Sequence, residues 1–182
     1  MEDVDNQTQG SLTTPIYTLE DIDRIDSFRN SILDFEKQLV DFEHSYGDPN
    51  APGQNEVMND VNPLKHTFAG GCYVREIFMP KGQLMTTGIH KKEHVFFVLK
   101  GDVSVLTDEG LVRIIAPHSG VTQPGTKRLL YTNEDTIWIT VHATDKKTVE
   151  DVIPDIIAKD FNDPEVSLDK AREMLKIKTN IQ

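Results

Sequence analysis

The sequence predicts a mainly β protein: one small antiparallel barrel or sandwich, preceded by an amphipathic helix and followed by a helical appendage. Two observations carry this. Between about residues 64 and 144, the β-rich runs CYVREIFM, HVFFVLKGDVSVL, VRIIA, RLLYT and TIWITVH are separated by Pro80, Gly82, Gly88, Gly101, Gly110, Pro117, Gly120, Pro124 and Gly125. Many short strands at this spacing build a sandwich or small barrel. On either side of that block the apolar period lengthens from two to between three and four, the period of a helix.

Residues 1–17 are polar, acidic and interrupted by Pro15, with too little apolar surface to repay ordering, and read as a flexible arm. A helix is expected over residues 18–45. Thr18 is a cap residue, and Glu20 and Asp21 lie in the first turn, where the helix dipole favours acids. Ile25, Phe28, Ile32, Phe35, Leu39 and Phe42 then recur at alternating steps of three and four. Such a heptad seam serves equally a helix lying on its own domain or one that associates with another subunit. Gly47, Pro49, Pro52 and Gly53 end it and open a linker over residues 46–63. Residues 64–144 form the β domain. Residues 145–182 turn helical again, with Val149, Val152, Ile153, Ile156 and Ile157 in a first segment broken near Pro154. Ser167 caps a second that carries Leu168, Ala171, Met174 and Leu175 on one face.

A chain of 182 residues supports one well-cored domain with extensions. Its formal charge of −11 argues against nucleic acid or anionic lipid as the main partner. The sequence has no apolar run of the ~20 residues that span a bilayer, and MEDVDNQTQG lacks the basic and apolar regions of a signal peptide, so a cytoplasmic protein is expected. The single cysteine, Cys72, excludes an intrachain disulfide and reads as a buried neutral thiol.

The chemistry-bearing stretch is Pro80 to Gly101, PKGQLMTTGIHKKEHVFFVLKG. His90 and His94 lie four apart, and in an extended strand such residues point to one face. On the last strand run, Trp138, Thr140 and His142 share one face and Ile137, Ile139 and Val141 the other. The all-aliphatic face is the obvious core filler, but small barrels that bind ligands place the more polar face inward, and that phase would bring His142 to His90 and His94 as a facial metal site for Fe, Zn, Mn or Ni. His66 is a weaker candidate, while His118 and His44 read as a turn residue and a helix-end residue. Lys91, Lys92 and Glu93 read as a solvated loop. Arg128 would either clamp a carboxylate or phosphate or pair with Glu134, Asp135 or Glu76.

Gly82 to Gly101 resembles the first motif of the cupin superfamily: a glycine, His-x-His, a glutamate and a closing glycine. Gly88 and His90 stand at the two histidine sites, and His94 stands at the glutamate site. Gly120, Pro124, Gly125 and Arg128 echo the second motif, with Arg128 where the last histidine belongs. More narrowly, LKHTFAGGCYVREIFMPKG and PGTKRLLYTNEDTIWITVHATD look like small single-domain cupins encoded by tailed bacteriophages. The resemblance implies a double-stranded β-helix, or jelly-roll, barrel and a homo-oligomer. It implies two functional classes. One is a non-catalytic structural or protein-interaction component, in the virion or the host cytoplasm. The other is a metal-dependent oxygenase or isomerase acting on a small polar molecule. The loss of two of four ligand positions favours the first.

Overall fold

The structure, a computed structural model, describes residues 17–41, 45 and 59–179. The acidic arm up to residue 16, most of the linker and His44 lie outside the described residues.

Helix α1 covers Leu19–Val40 and starts as its sequence dictates. The Asp21 N–H donates to Thr18 Oγ1, and the Thr18 N–H donates back to the Asp21 carboxylate. This reciprocal box satisfies two of the amide donors that a helix start leaves over. The helix stops at Val40 with Asp41 as its C-cap, short of the expected residue 45. It lies on its own domain. Ile22, Arg29 and Ile32 are buried, while Phe28, Phe35 and Leu39 of the seam are half-buried. Arg24 bonds Asp108 at 2.6 Å, and Glu36 bonds Lys127 at 2.8 Å.

The β domain runs through β1 (Leu64–Ala69), β2 (Cys72–Met79), β3 (Leu84–Thr86), β4 (Ile89–His90), β5 (His94–Lys100), β6 (Asp102–Thr107), β7 (Gly110–Ile115), β8 (His118–Thr122), β9 (Leu129–Thr132) and β10 (Thr136–Ala143). These strands build a five-stranded sheet ordered β1-β2-β10-β5-β8 and a four-stranded sheet ordered β3-β9-β6-β7. All pairings are antiparallel, which gives the jelly-roll architecture expected from the sequence. Gly82 and Gly101, the end glycines of the first motif, turn the chain at φ of 81° and 105°, a region that residues with a Cβ avoid.

The alternation of each strand decides what faces the core. On β10, Thr136, Trp138, Thr140 and His142 are buried, and Ile137, Ile139 and Val141 face outward, half-buried. The more polar face is therefore the inner one. Register sets Thr140 opposite Arg75, Trp138 opposite Ile77 and His142 opposite Tyr73 on β2. Ile77, Met79, Phe96, Val98, Val103, Val105, Ile114, Leu130 and Trp138 form the central apolar cluster between the sheets.

The C-terminal segment closes one end of this barrel. Helix α2 (Val149–Ile156), capped by Thr148, continues through Pro154 and ends at Ile156, so the expected break does not occur. It buries Val152 and Ile156 against Tyr73. Strand β11 (Ile157–Ala158) then pairs with β4, setting Ile157 beside His90. Helix α3 (Asp169–Thr179) returns to α1, where Arg172 pairs with Asp26. Among the described residues no helix is long and apolar enough to cross a membrane.

Candidate functional site

His90 and His94 do converge, though not along one strand. His90 ends β4, the chain turns through residues 91–93, and His94 opens β5. Their ring centroids lie 4.5 Å apart. His142 comes in from β10, with its ring 4.1 Å from that of His94 and 6.3 Å from that of His90. Backbone bonds fix His90: its N–H donates to the Thr126 carbonyl at 3.0 Å, and its carbonyl accepts from Gly125 at 2.7 Å.

Burial keeps these rings neutral. It pushes His90 down to about 2, helped by the charges of His94 and Arg128, and His142 down to about 3, helped by those of His94 and Arg75. His94 is lowered too, by burial first, against the raising effect of its bond to the Lys92 carbonyl. That bond, 3.1 Å from Nδ1, requires a hydrogen on Nδ1 and leaves a lone pair on Nε2. His94 Nε2, His90 Nδ1, His142 Nδ1 and Thr140 Oγ1 are buried without a partner.

Arg128 enters the same space. Its guanidinium donates to Thr122 Oγ1 at 2.9 Å and lies 5.4 Å over the Phe96 ring. The alternative salt bridges are not made. Glu134 and Asp135 bond to Lys81 instead, and Glu76 stands opposite Lys65 on the outer face of β2. Arg75, which the sequence reading did not single out, also points inward. It forms no hydrogen bond or ion pair among the described residues, and burial lowers both guanidiniums below the ordinary arginine range, although a guanidinium keeps its proton in proteins. The signal for Arg75 was in the phase of β2, where Tyr73, Arg75, Ile77 and Met79 share one face.

Together these residues line a cavity of about 220 Å³. Met79, Met85, Leu130 and Trp138 form its apolar wall, and Ile153, Ile156 and Ile157 roof it from the C-terminal segment. Among the described residues no acidic side chain lines it. Gly88 lies at its rim, and a Cβ there would stand 3.1 Å from Ile157 Cδ1.

The donor set does not suit a metal ion as arranged. The imidazoles are neutral, as ligands must be, yet among the described residues no group of three His, Cys, Asp or Glu is placed to hold a metal. The cavity lacks a carboxylate and carries two guanidiniums, whose charge opposes a cation.

The remaining sites fall elsewhere. His66 is exposed on β1 and shares a 2.7 Å hydrogen bond with the Tyr73 hydroxyl. His118 opens strand β8 rather than sitting in a turn. Cys72 is half-buried rather than buried. Lys91 is not solvated: its ammonium bonds Glu165 at 2.7 Å and Asp163 at 3.2 Å, tying the histidine turn to the C-terminal segment. Lys92 and Glu93 are exposed as expected.

No protein-family model matches the sequence, and no curated protein matches it. Solved structures with a similar fold include the cupin domain of Cnp3 from Schizosaccharomyces pombe, 17% identical, TM-score 0.39, covering 45% of this chain and 60% of that one. An acetylacetone dioxygenase from Acinetobacter johnsonii is 14% identical, TM-score 0.37, covering 44% of this chain and 58% of that one. An ectoine synthase from P. lautus is 10% identical, TM-score 0.43, covering 50% and 70% respectively.

Proposed function

We propose that the barrel binds a small organic anion in its interior, with Arg75 and Arg128 as the charge partners. One observation carries this reading: two half-buried guanidiniums face a cavity that no acidic residue lines among the described residues. An ion taken out of water without a counter-charge costs several kcal/mol. An incoming carboxylate or phosphate supplies that counter-charge, and guanidinium geometry suits its bidentate capture. The apolar wall accommodates an aliphatic body.

A thermal-shift series with small carboxylates tests this on the full chain. The expected result is a Tm that rises with carboxylate concentration and fails to rise in Arg75→Met and Arg128→Met. Absence of any shift, together with no organic acid released from the purified protein on denaturation, overturns it.

A second reading keeps a divalent metal on His90, His94 and His142, as in a metal-dependent oxygenase or isomerase. The unpartnered buried nitrogens on all three rings favour it. Metal analysis of untagged protein separates the two. Near-stoichiometric Fe, Zn, Mn or Ni, lost in His90→Ala/His94→Ala, supports the metal.

A structural or interaction role, of the phage-scaffold kind or another, is compatible with either chemistry. The feature supporting assembly is the outer face of the five-stranded sheet. Val95, Phe97 and Leu99 of β5 and Val121 of β8 are exposed there, beside half-buried Ile137, Ile139 and Val141 of β10. A second copy of this chain is the proposed occupant. The exposed side chains of this strip are apolar, with Glu76, opposite Ile139, at its β2 border, so two copies bury the apolar rows there and set charge only at that edge.

A further inference from the structure

We infer that the ligand is a dianion whose two acidic groups lie at opposite ends of a short aliphatic chain. This deepens the anion reading and rests on it.

The cavity has two polar ends built by different strands. At one, Arg75 of β2 stands opposite Thr140 of β10, whose Oγ1 is buried and unpartnered, and His142 lies two residues further on the same face of β10. At the other, Arg128 donates to Thr122 Oγ1, and Thr122 pairs in register with His94 of β5. Strands β2 and β8 are separated by β10 and β5 in the sheet. At ~4.8 Å per strand their backbones are roughly 14 Å apart, so Arg75 starts from a different strand than the one whose Thr122 holds the Arg128 guanidinium. The His142 and His94 rings between them meet at 4.1 Å. His90 joins the same cluster, its ring 4.5 Å from that of His94 and 6.3 Å from that of His142.

Charge then fixes the ligand's valence. A monoanion pairs with one guanidinium and leaves the other half-buried without a counter-charge, whereas a dianion neutralises both. A single phosphate carries its charge at one point and cannot reach both ends. An amino acid brings an ammonium group into a space with two cations and no carboxylate to receive it. A cavity of about 220 Å³ is smaller than the roughly 300–1,000 Å³ of drug-sized ligand sites, so the ligand is a small organic molecule. Aliphatic dicarboxylates of four to six carbons have that size.

Isothermal titration of the full chain with succinate, glutarate and adipate, against butyrate, valerate, glutamate and inorganic phosphate, tests this. At least one diacid is expected to bind tenfold or more tightly than the monoacid of equal carbon number and than glutamate. Arg75→Met and Arg128→Met should each reduce that diacid to the monoacid level, whereas Arg75→Lys and Arg128→Lys, which keep the charge, should retain part of the preference. Circular dichroism checks that each variant is folded. If monoacids bind within threefold of the diacids, or phosphate binds best, the dianion is overturned while the anion reading stands. If none of these anions binds, both fail.

Discussion

Ile157 of β11 packs against the bare backbone of Gly88, so that a Cβ at position 88 would lie 3.1 Å from Ile157 Cδ1 and 3.2 Å from its Cγ2. The C-terminal strand thus fills the space that a side chain at position 88 would need. Gly88→His does not rebuild a metal site. It is expected to push β11 off β4 and cost about 1–3 kcal/mol, as overpacked sites do. Urea denaturation of Gly88→His and of Gly88→His/Ile157→Ala checks it. Recovery in the double variant identifies Ile157 as the obstruction, and an unchanged midpoint in Gly88→His sinks the idea.

Removing a binding arginine should stabilise the empty protein. Arg75 is half-buried and makes no hydrogen bond or ion pair among the described residues, so its charge lacks local compensation. Arg75→Met keeps much of the side-chain volume and removes the desolvated charge. By analogy with buried ions replaced by apolar side chains, the gain is about 1–4 kcal/mol in the unliganded state. Ligand-induced stabilisation should vanish in the same variant. A loss of apo stability would assign Arg75 a structural role instead.

The legible and hidden parts of this site divide along strand phase and sequence distance. Alternation on β10 grouped Thr140 with His142, because period two is a local property, but it left open which face turns inward, and burial assigns the core to the more polar one. The pairing of His90 with His94 came out correctly on an incomplete geometry: a turn at residues 91–93, not a continuous strand, brings the rings together. Arg75 escaped because CYVREIFM was weighed as an apolar run, and its phase becomes decisive only when Tyr73 and Ile77 are known to face the core. The role of Lys91 depends on Asp163 and Glu165, more than seventy positions away, and no local pattern encodes that contact. The same holds for α1, whose heptad seam is shared between burial on the barrel and partial exposure because Arg29 and Glu36 also face the domain.

Acid should weaken the fold through the histidines. His90 titrates at about 2 and His142 at about 3 in the folded chain, against an ordinary 6.5 once unfolded. Below about pH 6.5 the unfolded chain therefore binds protons that the folded chain refuses, and stability falls as pH drops toward 3. The slope approaches ~1.4 kcal/mol per pH unit for each neutral ring. Above about pH 6.5 neither ring contributes a dependence. Denaturation midpoints between about pH 7 and about pH 4 should fall less steeply in His90→Gln/His142→Gln than in the parent chain. Parallel slopes would show that the rings are not held neutral.

Helix α1 is fastened to the cavity rim through Glu36. Its carboxylate accepts from Lys127 Nζ and from Thr86 Oγ1, and the Lys127 side chain is only 7% exposed. Lys127 also donates to the Thr87 carbonyl at 2.8 Å, and Thr87 Oγ1 accepts the N–H of Arg128 at 3.0 Å. Glu36→Ala leaves the buried ammonium with one carbonyl and should cost about 1–3 kcal/mol. Lys127→Met combined with it should cost less than the sum, because both remove the same pair. Hydrogen exchange should rise in α1 and around residues 86–88 together. Faster exchange in α1 alone would show that the helix does not brace the rim.

Self-association should run through the outer sheet face rather than through α1. In register, Val74, Val141, Val95 and Val121 form one row across four strands, and Ile139 and Phe97 lie in the next. Half of that strip remains open to solvent, with Leu99 55% and Val121 50% exposed. Two such faces packed together bury the apolar rows in the manner of a sandwich. Phe97→Glu/Leu99→Glu sets four carboxylates against one another in a symmetric dimer and should leave a monomer, whereas deleting residues 1–45 should leave the assembly intact. Sedimentation equilibrium reads both. A parent chain that sediments as a monomer at every concentration removes the face as an interface. An assembly lost with residues 1–45 but kept in the double glutamate variant moves the interface to the heptad seam of α1.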